Sequence, residues 1–142
     1  MDANVGTPTQ SQQAWLQAQV AAATQFTVDY GSPRTAPGLP SLDHAWASWV
    51  DRQSVDPADP EPVLNAVGVA FGEALRAQLP EFRWVRVTED GEENLALLGP
   101  PDQGDVLIYP EDLVAAQYEA RGGAFLVDAV NQIVNEVRQL DA

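Results

Sequence analysis

The sequence predicts an α+β fold: three N-terminal helices, a three-stranded antiparallel meander, then two C-terminal helices. Three observations carry this. Apolar residues recur at helical spacing in five stretches. Between the third and fourth of these lie runs of strand formers divided by Gly- and Pro-rich turns. Prolines and acids stand where most of the helices begin. A chain of 142 residues is long enough to bury a core without disulfides or metal.

Taken in order, residues 1–8 read as a disordered tail and 9–142 as one α+β domain. Thr7, Pro8 and Gln10 form a helix-start signal, with Thr as N-cap, Pro at N1 and Gln at N3. The first helix runs to about residue 24 on Trp15, Leu16, Val20 and a run of alanines. Residues 26–40 carry glycines and prolines and read as a connecting loop, so 9–41 forms an N-terminal helix and loop. Leu42, Trp46, Trp49, Val50 and Gln53 fall on one face of a second helix capped by Ser41, with Asp43 on the other. Two Asp-Pro pairs follow, at 56–57 and 59–60.

The stretch 62–87 holds the strongest pattern. Leu64, Val67, Phe71, Leu75 and Leu79 stripe a central helix over about 60–79, and Pro80 ends it. Gly68 and Gly72 each cost that helix about 1 kcal/mol relative to alanine. Two glycines four apart on one side therefore predict that another backbone passes close. A strand over 82–87 contains Trp84, and Asp90-Gly91 is a hairpin turn signal. Residues 94–98 return, and 105–109 form the third strand. Tyr109-Pro110 then opens a helix to about Arg121, with Glu111 and Asp112 in its first turn. The last helix, 124–140, is striped by Phe125, Leu126, Val130, Ile133, Val134 and Val137.

Twenty-one acids face seven bases, all arginine, for a net charge of −14. Such a chain is repelled by nucleic acid and anionic membranes, and attracts a basic protein or peptide. No stretch is long and apolar enough to span a bilayer. The first ten residues lack the basic and apolar regions of a secretory leader. Cysteine is absent, which removes disulfides and thiol chemistry and suits a cytoplasmic location. The charge is concentrated: between Val87 and Ala120 there are nine acids and no base.

Catalytic machinery is hard to assemble. His44 is the sole histidine; Ser41 and Ser48 lie near it, but no nucleophile motif surrounds either. With one histidine and no cysteine, no transition-metal site is expected. Glu89, Asp90, Glu92 and Glu93 crowd a turn without calcium-loop spacing. No phosphate-binding glycine loop is present. The expectation is a non-enzymatic domain without cofactor or metal. It binds a basic partner through Glu89, Asp90, Glu92, Glu93, Asp102, Asp105, Tyr109, Glu111 and Asp112, and an immunity-like inhibitor of a basic protein is the sharpest form. The alternative is a small-ligand or peptide module with a pocket walled by Trp46, Trp49, Trp84 and Tyr109. The competing bland readings are a solvated acidic face and tryptophans that are simply core.

The order Leu42, Trp46, Trp49, then Gly68, Phe71, Gly72, then Trp84, Asp90-Gly91 and Tyr109-Pro110 with Val114 and Glu119 resembles a bacterial family catalogued as domain of unknown function 3806. The resemblance covers about 42–140 and leaves the N-terminal helix outside. Where that family commonly has an arginine late in the penultimate helix, this chain has Arg121. The resemblance implies a small bacterial α+β domain and supplies no catalytic residues.

Overall fold

Trp84 lies against the one glycine of the central helix that leaves room for its ring, and this contact joins sheet to helices. A computed structural model describes residues 4–31, 38–100, 106–120 and 123–139. Their elements run β1 (Asn4–Gly6), α1 (Gln10–Tyr30), α2 (Leu39–Val55), α3 (Glu61–Gln78), β2 (Arg83–Glu89), β3 (Glu92–Leu98), β4 (Leu107–Ile108), α4 (Pro110–Glu119) and α5 (Leu126–Gln139). The strands form one antiparallel sheet in the order β1-β2-β3-β4. The α+β class and the five helices agree with the sequence. The meander is extended by a fourth strand drawn from the segment expected to be disordered: Asn4, Val5 and Gly6 pair with Thr88, Val87 and Arg86. Three residues carry no alternation to read, and their conformation comes from the open edge of β2 rather than from propensity.

Strand alternation sends Trp84, Leu97 and Ile108 toward the helices. There they join a core of Phe26, Trp46, Trp49, Val67, Phe71, Leu75, Val114, Leu126, Val130 and Val134. Val85, Val87 and Ala96 face the other way and form a second buried cluster with Leu98, Leu107 and Tyr109. The helix starts shift from the sequence reading. A capping box is present at α1, two residues later than expected: the Thr9 hydroxyl accepts from Gln12 N at 3.1 Å, and Thr9 N donates to the Gln12 side chain at 2.9 Å. α1 also runs through the first part of the expected loop, because Phe26 and Tyr30, one turn apart, stack at 5.1 Å, and Phe26 meets Trp49 edge-on. α2 begins after Gly38 rather than at Ser41.

Asp43, expected on a polar face, instead reaches across to α5. Its carboxylate accepts from the backbone N–H groups of Phe125 (2.7 Å), Leu126 (2.8 Å) and Val127 (3.3 Å). It caps a helix more than eighty residues away, supplying charge where the dipole favours it. Gln53, the buried polar residue of the α2 stripe, is satisfied: its amide donates to Ala58 O and Tyr118 OH and its carbonyl accepts from Ala58 N.

Candidate functional site

The four aromatic residues proposed as a pocket wall are not brought together. Trp46 is 0% exposed and Trp49 4% exposed. Their rings stand 5.4 Å apart, Trp46 meets Phe125 and Tyr118, and Trp49 lies 5.2 Å from Tyr118. These are core contacts, since large rings lower the free energy most when fully removed from water. Trp84 lies over Gly72 of α3, where its indole N–H donates to Glu73 at 2.9 Å and Arg76 completes the group with bonds of 3.1 and 3.2 Å to the same carboxylate. Glu73 therefore orients the ring. Tyr109 is half-buried at the far edge of the sheet.

The acids behave differently. The Asp90-Gly91 turn forms as the sequence implies, with φ of +53° and +82°. Two successive positive values are those of the tight hairpin turn that Asp-Gly favours. It sets Glu89 opposite Glu92 and Thr88 opposite Glu93, so the tip is ringed with carboxylates. Glu93 accepts from the Gln12 amide at 3.4 Å and lies 4.0 Å from Arg86, a surface pair worth little by itself. Asp102, Asp105 and Arg121 fall outside the described residues.

The start of α4 comes to the same place. Pro110 is buried at N1, and Glu111 follows directly over Gly68. A β-carbon on Gly68 would stand 2.9 Å from the Glu111 Cα and 2.7 Å from its Cγ. A β-carbon on Gly72 would stand 2.5 Å from the Trp84 ring and 3.1 Å from Pro110. The close backbone expected at both glycines is present at Gly68, where α4 lies on α3; at Gly72 the space is taken instead by side chains, the Trp84 ring and the Pro110 ring. Because α4 is so near, Glu111 is partly withdrawn from water. Its carboxyl is raised from 4.5 to about 7, first by burial and then by the Asp112 charge. Those effects outweigh the helix N-terminus, which favours the anion.

Glu111 and Glu93 share a groove of about 190 Å³ with Gln12, Trp15, Asn94 and Leu95. Of the expected acidic set, these two are brought together beside the ringed tip. Gln12 and Trp15 were not anticipated; the readable signal was a tryptophan one turn into a helix whose own face was poor in large apolar residues. His44 is exposed on α2, with Ser48 half-buried one turn on. Among the described residues no three His, Asp or Glu side chains cluster in a way that could hold a metal ion. No helix among them is long and apolar enough to cross a membrane.

No curated protein matches the chain. A solved structure from Bacteroides thetaiotaomicron VPI-5482 is similar, with a TM-score of 0.70 and 10% identity. The similarity covers 96% of this chain and 48% of that one, so the chain spans about half the length of the solved protein. At this identity the likeness speaks for the fold alone. A family model matches residues 43–123, a shorter span than the sequence resemblance suggested but more than half of the chain. On that match the chain belongs to the family described as Domain of unknown function (DUF3806).

Proposed function

We propose that the chain is a non-enzymatic interaction domain that holds a basic protein or peptide on the groove of Gln12, Trp15, Glu93 and Glu111 and on the acidic hairpin tip beside it. The observation that carries this reading is the sharing of one groove by two carboxylates and a tryptophan. A guanidinium stacked on Trp15 and bonded to Glu93 and Glu111 gains cation–π and charge-assisted contacts in a partly dry setting. The surrounding charge of −14 speeds encounter with a cation and makes it salt-sensitive. An immunity-like inhibitor of a basic partner in the cytoplasm is the form that fits a small, cysteine-free, acidic chain best. The test is capture from a bacterial extract on immobilised protein, with Glu92→Lys/Glu93→Lys as comparison. A protein retained at low salt, released at high salt and lost with the double variant supports the reading. Identical retention by both forms refutes it.

A further inference from the structure

A second groove lies elsewhere, and its construction is different. β4 is the last strand of the sheet. Leu97 pairs with Ile108 and Leu98 with Leu107, and Gly99 N donates to Val106 O at 2.9 Å. In an antiparallel pair, hydrogen-bonded and non-bonded positions alternate. Val106 and Ile108 therefore bond to β3, and the Leu107 N–H and C=O point out of the sheet. They open onto a groove of about 630 Å³ between β4, α4 and α5. Leu107, Ile108, Leu113 and Ile133 line it, and Leu113 is 43% exposed. Among the described residues the groove is lined by two acids, Asp112 and Glu136, both exposed, by the half-buried Tyr109, and by no basic residue.

We infer that this groove receives an extended segment of another protein, which adds to β4 as a further strand, places alternate aliphatic side chains between α4 and α5, and carries lysine or arginine at its flanks. Three features select this occupant. The outward N–H and C=O of Leu107 match one residue of an added antiparallel strand. The aliphatic lining takes the side chains that point inward from such a strand. The acids at the rim select basic flanks. A second copy is disfavoured by the same acids, because pairing β4 with β4 brings two chains of net charge −14 together with Asp112 and Glu136 at the contact. The proposal concerns a surface separate from the Glu93–Glu111 groove and does not rest on it.

The test uses the full chain, ¹⁵N-labelled, and two seven-residue peptides of alternating valine and threonine, one with lysine at both ends and one with glutamate. The lysine peptide is expected to shift the amides of Leu107, Ile108, Leu113 and Ile133 and to slow hydrogen exchange at Leu107. The glutamate peptide is expected to bind at least about tenfold more weakly. Leu107→Pro removes the outward N–H, at an edge position where proline is tolerated, and should weaken the lysine peptide at least about tenfold. Should that variant fail to fold, Glu136→Lys, on an exposed position of α5, is expected to narrow or reverse the preference between the peptides. Absence of shifts at these amides with millimolar lysine peptide overturns the inference. Equal binding of both peptides does so too, as does a peptide-free dimer joined through Leu107.

Discussion

Replacing Gly68 with alanine adds one carbon at the place where α3 and α4 touch. That carbon would lie 2.9 Å from the Cα of Glu111 and 2.7 Å from its Cγ. Carbon pairs settle near ~3.5–4.0 Å, so the first turn of α4 must retreat by roughly 0.5–1 Å. The Cγ can rotate away, but the Cα is backbone and can move only with its helix. Overpacking of this kind costs about 1–3 kcal/mol. Against it stands a gain of about 1 kcal/mol from replacing glycine inside a helix. With backbone as the obstacle, the upper part of the cost range applies, and the net loss is about 1–2 kcal/mol. For a domain of this size the melting temperature falls by about 3–6 °C. Gly123→Ala is the control, because a β-carbon there meets nothing within 4 Å. Its stability should change by less than about 0.5 kcal/mol. Gly68→Leu, with three more carbons in the same space, should not fold. A thermal melt in which Gly68→Ala equals or exceeds the parent would refute the close packing of α4 on α3, and with it the reason Glu111 is buried.

Two further predictions follow from single contacts. Asp43→Ala leaves the first backbone N–H groups of α5 without their acceptor and should cost about 1–2 kcal/mol, with rising amide exchange at Phe125, Leu126 and Val127 rather than in α2. For Glu111, the folded carboxyl holds its proton more tightly than the unfolded one, so its contribution favours folding below pH 4.5 and is lost as pH rises through about 7. Glu111→Gln should therefore melt like the parent at pH 4 and higher than it at pH 8. Because the carboxyl is partly open to screening, the gain is about 1 kcal/mol, a few degrees; equal melts at both pH values would contradict the burial.

What could be read from the chain depended on whether the signal was local. The Asp90-Gly91 turn, the close backbone at Gly68 and the proline start of α4 are set by backbone sterics, and each appears where the residues imply; Gly72 instead makes room for a side chain, the Trp84 ring. β1 escaped notice because its conformation comes from pairing with Thr88, Val87 and Arg86, eighty residues away. Asp43 and Gln12 likewise act on partners distant in sequence: Asp43 reads as polar surface, and the local helix-start signal, placed on Thr7 and Gln10, says nothing of Gln12 or of its bond to Glu93. Phe26 and Tyr30 read as loop because glycines and prolines follow them in sequence, but their ring contact one turn apart carries α1 onward. For the tryptophans, a pair three apart on a helix is more often core than a ligand wall, and the burial of Trp46 and Trp49 places them in the core. The acidic run was visible, but which acids meet was not: the register of β3 and the seat of α4 on Gly68 bring Glu93 to Glu111.

The most direct test of the recognition groove is a ¹³C titration of the Glu111 carboxyl, with and without a hexa-arginine peptide. In the free protein the midpoint should lie at about 7. With the peptide bound, a guanidinium beside the carboxylate should pull it below that of the free protein by at least about one unit. A free-protein midpoint at the ordinary 4.5, or a raised midpoint that the bound peptide leaves unmoved, would contradict the reading of Glu93, Glu111 and Trp15 as the place where a basic partner is held.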